Sequence, residues 1–227
     1  MAVGEYEQKS CLQWRAWLAG LREHMAQPLF FLILLMIYLV AAIPTGVVLT
    51  RLMGLDDVRS KGSGNIGATN VYRVAGKLPG ILTLLGDILK GFLPLLAVNL
   101  WLAPTPLQLG IAGVVAIFAH CYPVYLRFKG GKGVATALGI FLVLDPLALL
   151  GGCIVFLLAV ALTRYISLGS VLAAFVAPLL TLLLQRPLPL ALCAGTVGTL
   201  IIWRHRENLR RLCAGTESRF GAKTPPA

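Results

Sequence analysis

VATALGIFLVLDPLALLGGCIVFLLAVALT, from Val134 to Thr163, is apolar for 30 residues apart from Asp145-Pro146 at its middle. A hydrocarbon core of about 30 Å takes roughly 20 helical residues, so the run fits one long tilted helix or two short ones. Orientation decides between them. Apolar runs at about 29–49, 79–101 and 107–126 precede it, and runs at about 166–185 and 188–203 follow. Two helices return the chain to its starting side and group Arg164, Arg204, Arg206, Arg210 and Arg211 with the earlier basic stretches. One helix sends all those arginines to the opposite face, against the positive-inside tendency. The expected fold is therefore an all-α, polytopic membrane bundle of seven transmembrane helices. Its N-terminus lies outside and its C-terminus in the cytoplasm. Pro44 and Gly46 predict a kink near the end of the first span.

Composition agrees. Hydrophobic residues make up 58% of the 227 and charged residues 13%, and mean hydropathy is +0.83. Soluble domains carry about twice that charge. The net charge of +11 sits between apolar runs, where membrane orientation explains it better than nucleic acid does. Cys11, Cys121, Cys153, Cys193 and Cys213 are scattered without metal-ligand spacing, so neither a disulfide nor a metal is expected. No cleavable signal is visible ahead of the first span. The chain divides into an N-terminal extension (1–27), a seven-helix domain (28–217) and a flexible cytoplasmic tail (218–227). The extension reads as an amphipathic surface helix or a partly ordered tail.

On this topology three polar segments share the cytoplasmic face. The first, Ser60 to Arg73, is SKGSGNIGATNVYR. Glycines at 62, 64 and 67 let backbone N–H groups approach a ligand, and such N–H runs bind anions. Ser63, Asn65, Thr69 and Asn70 add side-chain donors, and Lys61 and Arg73 add charge. Phosphate fits that inventory better than a plain connector does. A nucleotide-triphosphate loop is rejected, because Ala68-Thr69 stands where Lys-Ser/Thr would be required.

In the second segment Lys132 lies between Gly131 and Gly133 at a helix start, where an anion is favoured. Arg127 and Lys129 beside it read as topology-setting cations. In the third, His205 and Asn208 are three residues apart, so a helix continuing past Trp203 presents both on one face. Glu207 is expected to pair with Arg211. Asp87 and Lys90, a charged pair within the second span, are costly there and read as support for the site. His120, which closes the third span, is equally compatible with shaping the site or with a structural hydrogen bond.

At this point the residues match a known pattern. Gly62 to Arg73, His120-Cys121-Tyr122-Pro123-Val124-Tyr125 with Phe128 to Thr136, and His205 to Leu212 resemble the three motifs of the bacterial acyl-phosphate:glycerol-3-phosphate acyltransferases, in sequence, order and spacing. The resemblance covers about Leu29 to Glu217. It implies a seven-helix inner-membrane enzyme with its active site on the cytoplasmic face. The enzyme moves an acyl chain from acyl phosphate to the 1-hydroxyl of glycerol 3-phosphate, giving lysophosphatidic acid and phosphate, the first step of phospholipid synthesis. It implies no cofactor, and it brings in the soluble acyltransferase that makes acyl phosphate as a partner. Ser63, Arg73, Lys132, His205 and Asn208 match the family's functional positions. Ala119 departs from the pattern, standing where the family usually has glycine before its histidine.

The hydroxyl that attacks must lose a proton, either to His205 or to a phosphate oxygen of the donor. The second is favoured, since the donor phosphate lies near the attacking oxygen in any productive pose. A membrane transporter for a phosphorylated metabolite is the rival reading. It predicts polar residues along a path through the bilayer and repeated halves.

Overall fold

The computed structural model describes residues 27–221. The amphipathic reading of residues 1–26, and the tail at 222–227, lie outside the described residues. Two compact units divide between Met36 and Ile37. Of the first, residues 27–36 are described, and all are helical.

The described residues form helices and turns without a strand. Helix α1 spans Gln27–Ala41, α2 Thr45–Leu52, α3 Ala68–Ala75, α4 Lys77–Leu102 and α5 Pro106–Cys121. After them come α6 Val134–Leu144, α7 Pro146–Thr163, α8 Ile166–Leu183, α9 Leu188–Arg204 and α10 Arg206–Cys213. Among the described residues, four segments are long and apolar enough to cross a membrane, or up to six if each of two bent pairs counts as one.

The first expected span is broken more sharply than a kink. α1 and α2 differ in direction by 46°, because Pro44 carries no N–H to continue the ladder. The third expected span is present as Pro106–Leu126, with its α-helix ending at Cys121 and a 3₁₀ turn at Val124–Leu126 after Pro123. The helix also does not run on past Trp203 as expected. It bends by 54° at His205 into α10.

Asp145-Pro146 divides the long apolar run into two helices, α6 and α7. Asp145 is extended, with φ −160°, and its carboxylate accepts from the Ala148 N–H to cap α7. Proline fits the first helical position, where no N–H is needed. Contacts at both ends show that the chain reverses there. Arg186, between α8 and α9, donates to the Asp145 carboxylate at 3.1 and 3.2 Å. At the other end, Lys132 before α6 reaches Asn208, and Ser167 at the start of α8 reaches Glu217.

Helices approach through glycine. A Cβ on Gly91 would collide with Thr136 O, one on Gly139 with Ile88 O, and one on Gly198 with Ala174 O. Small residues at such crossings let backbones pack closely in lipid. The outward faces are apolar: Leu150, Leu157, Leu158 and Leu162 of α7 are all more than half exposed.

Candidate active site at the polar end of the bundle

The Ser60–Arg73 loop is built around Asn70. Its Nδ2 donates to the carbonyls of Val58, Lys61 and Asn65, and its Oδ1 accepts from the Ser63 N–H at 2.8 Å. Asn70 is 2% exposed, so its amide is spent on shaping the loop instead of projecting a donor outward. Asn65 likewise uses its Oδ1 on the Gly67 N–H. Gly62 and Gly64 have φ of +61° and +68°, a region that favours glycine, and a Cβ on Gly62 would meet Asn70 Oδ1. Val58, Ile66 and Val71 anchor the loop in a small apolar cluster with Val47. Ser63 and Thr69 are exposed, and among the described residues their hydroxyls have no hydrogen-bond partner. Gly67 precedes α3, and Arg73 sits in its last turn, exposed.

The second segment is a turn held from both sides. The Gly130 and Gly131 N–H groups donate to Cys121 O and His120 O, each at 3.2 Å. Arg204 donates to the carbonyls of Gly130 (2.7 Å) and Gly131 (3.0 Å), and its guanidinium lies over the Tyr122 ring. Gly133, with φ +86°, starts α6.

Lys132 is thereby fixed at the mouth, its Nζ donating to Asn208 Oδ1. Burial pushes its ammonium down to about 8; Glu217 opposes the shift, while Arg211, Arg204 and Arg73 add to it.

Behind Asn208 stands Glu217, which the sequence reading missed. Its carboxylate accepts from Asn208 Nδ2 (2.6 Å), Ser167 Oγ (2.7 Å) and Arg211 Nε (2.7 Å). Burial alone would raise this carboxyl, but the donors from Asn208, Ser167 and Arg211 hold it below its ordinary value. Glu207 pairs with Arg210 at 2.8 Å, not with Arg211 as expected. The reason is the turn at Gly215 (φ +69°), which brings Glu217 back to Arg211. The same returning segment sets Phe220 against Tyr72 of α3, with ring centres 6.2 Å apart.

His205 lies in the bend between α9 and α10, 4% exposed, with Nδ1 2.8 Å from Ile201 O. A carbonyl can only accept, so Nδ1 carries the proton and Nε2 offers a lone pair. Burial pushes the imidazolium down to about 4, the Ile201 hydrogen bond opposes that, and Lys132 adds to it. His205 is therefore neutral at pH 7.

Beneath the turn, Asp87 and Lys90 form a buried pair 2.9 Å apart, with His120 Nδ1 3.9 Å from the same carboxylate oxygen. Lys132 and Asn208 are in direct contact, and His205 stands three residues before Asn208 at the start of the same short helix; among the described residues neither Arg73 nor Ser63 is hydrogen-bonded to them. A mostly apolar groove of about 520 Å³, with Ile43, Val47, Leu52 and Tyr125 in its lining, contains none of these groups. Arg73, Lys132, Arg204 and Arg211 outnumber Glu217, an arrangement suited to holding anions.

Comparison with known proteins gives one answer. The sequence model of a family described as "Glycerol-3-phosphate acyltransferase" matches residues 31–215. A glycerol-3-phosphate acyltransferase of Syntrophotalea carbinolica is 54% identical over 85% of this chain and 98% of its own length. One from Trichlorobacter lovleyi is 51% identical over 82% and 94%. Among solved structures, the glycerol 3-phosphate form of PlsY (YgiH), an integral membrane glycerol 3-phosphate acyltransferase, superposes with a TM-score of 0.79 at 41% identity. It covers 85% of this chain and 96% of that one. The lysophosphatidic acid form of PlsY gives 0.78 at the same identity, over 85% and 95%. With its apolar helices, this likeness makes the chain a multi-pass membrane protein.

Proposed function

The chain belongs to the glycerol-3-phosphate acyltransferase family, and from that premise we propose that it acylates glycerol 3-phosphate to lysophosphatidic acid. The donor is an acyl phosphate, made by a soluble acyltransferase, and the products are lysophosphatidic acid and inorganic phosphate. The protein crosses the bacterial inner membrane seven times, with its N-terminus outside and its site on the cytoplasmic face. Residues 28–217 form the catalytic domain, between an N-terminal extension and a short tail. One observation carries the reading: Lys132 is joined to Asn208, 76 residues away in sequence, and through it to Glu217 in one hydrogen-bonded chain at the cation-rich end of the bundle.

An acyl phosphate is a mixed anhydride and already activated. The protein has mainly to hold two anions together and aim a hydroxyl at the carbonyl carbon. Lys132 and Arg73 offset the repulsion between the two anions and the charge that develops on the carbonyl oxygen. The Ser63 and Thr69 hydroxyls bind phosphate oxygens, because the Ser63, Gly64 and Gly67 N–H groups are engaged within the loop. The glycerol oxygen forms the new ester bond, the carbonyl–phosphate C–O bond breaks, and the leaving phosphate takes the hydroxyl proton.

A neutral His205 with its imidazolium held near 4 is a weak base at pH 7, which favours the donor phosphate as proton acceptor. His205 Nε2 then accepts a hydrogen bond from the glycerol hydroxyl and orients it. Asn208 fixes the Lys132 ammonium.

The test is purified protein in detergent or lipid, given acyl phosphate and glycerol 3-phosphate. Phosphate release that requires both substrates is expected. Release from acyl phosphate alone would make the protein a hydrolase, and none at all would leave a transporter or a binding scaffold.

A further inference from the structure

The chemistry above makes no use of three ionisable side chains beneath the Gly130–Gly133 turn. Asp87 and Lys90 on α4 are 2% and 7% exposed, and His120 on the last turn of α5 is 3% exposed. Charges within a membrane bundle are costly and normally pair with one another. Here the pairing is incomplete. Lys90 Nζ stands 2.9 Å from Asp87 Oδ1, but it directs its hydrogen bond at Ile43 O, 2.7 Å away. Asp87 Oδ1 and His120 Nδ1 are 3.9 Å apart, too far for a hydrogen bond, and among the described residues neither atom has a hydrogen-bond partner. Mutual neutralisation accounts for Asp87 and Lys90, but not for a third polar ring set against them.

The far edge of that ring explains its place. His120 Nε2 lies so close to Gly131 that a Cβ there would overlap it, and His120 O also accepts the Gly131 N–H. The imidazole is thus wedged between the Asp87–Lys90 pair and the backbone one residue before Lys132. On its other side, the same backbone is gripped by Arg204.

We propose that Asp87, Lys90 and His120 are positioning residues: the ion pair sets the ring, the ring sets the height of Gly131, and Gly131 sets where the Lys132 ammonium stands. The proposal rests on the acyltransferase reading and adds to it a floor beneath the phosphate-holding lysine. A lysine on a glycine-flanked turn has little rigidity of its own. Clamping that turn between a guanidinium and an imidazole supplies it.

The experiment uses the full chain in lipid vesicles, measuring phosphate release across pH. His120→Ala is expected to lower kcat/KM roughly 10- to 100-fold, the scale of a misplaced catalytic group. It also moves the alkaline limb of kcat/KM upward, because a loosened turn lets water reach Lys132. Gly131→Ala is expected to lose activity as its methyl pushes the turn off the ring. In the double variant the methyl enters the space the ring vacated, so the combined loss is smaller than the product of the single losses. Asp87→Asn, which keeps the shape and removes the charge facing the ring, is expected to shift the alkaline limb the same way, and it serves if His120→Ala does not fold. Independent, multiplying losses would overturn the proposal, as would an unmoved alkaline limb in both His120→Ala and Asp87→Asn. Failure of the wild-type protein to release phosphate from the two substrates would instead sink the acyltransferase reading itself.

Discussion

Lys132 and Asn208, 76 residues apart in sequence, are joined by a hydrogen bond from ammonium to amide oxygen. The bond spans the start of α6 and the short helix α10, and Glu217 holds the other end of the amide. The lysine is therefore aimed by two segments that the chain reaches only after three more long helices.

Truncating this lysine tests its role directly. Lys132→Ala is expected to remove about 2–4 kcal/mol of transition-state stabilisation, roughly a 30- to 1,000-fold loss in kcat/KM. Phosphate release at saturating and limiting glycerol 3-phosphate measures it. Near-normal activity would take Lys132 out of the site.

The same side chain predicts a pH profile. Burial lowers the Lys132 ammonium from 10.5 to about 8 in the free protein, so its charge is lost earlier than in an exposed lysine. kcat/KM is expected to fall as pH rises through about 8. A bound phosphate favours the charged form, so the limb in kcat should lie at higher pH. Coincident limbs, or none below pH 10, would contradict this.

His205→Gln keeps a hydrogen-bonding group while removing the imidazole. Turnover at neutral pH is expected to fall by less than the 10²- to 10⁴-fold typical of losing a general base. A loss within that range would transfer the proton-accepting role from the donor phosphate to His205.

Glu217→Ala leaves Asn208, Ser167 and Arg211 without their shared acceptor. Ser167 and Asn208 are buried, and each buried group so orphaned costs about 1–3 kcal/mol, whereas the partly exposed Arg211 turns to water. A lowered melting temperature together with weaker turnover is expected. The pH sign follows from the depressed carboxyl. Its stabilising contribution is complete above the ordinary carboxylate value and is lost as pH falls towards the lower folded value. Glu217→Ala should therefore flatten the acid limb of the stability profile.

The helical membrane architecture was legible because long apolar runs report on the bilayer, which every segment meets independently. Asp145-Pro146 is the clearest case, since the proline ends one helix and the aspartate caps the next. The candidate site was legible only where residue type alone carries meaning, as at Lys132 between glycines. Asn70 read as an outward donor because a loop sequence does not say which carbonyls will surround an amide. Glu217 was invisible for a related reason. Its partners depend on a turn at Gly215, and a lone carboxylate in a basic tail looks like any solvated charge. The ring of His120 beneath Gly131 is a contact between α5 and a later turn that local pattern does not encode.

Helix α6, Val134–Leu144, has 11 residues and rises about 16 Å, roughly half the thickness of a hydrocarbon core. The Lys132 turn and the Asp145 turn at its two ends cannot both sit among undisturbed headgroups. Lipid must thin around this helix, or water must fill a dimple that reaches down to Lys132. On the acyltransferase reading proposed above, the reactive phosphates then meet in a depression sunk into the leaflet, and an acyl chain enters sideways without lifting out of the oil. Turnover should then decline as reconstituting lipids lengthen, because thicker bilayers oppose such a pinch.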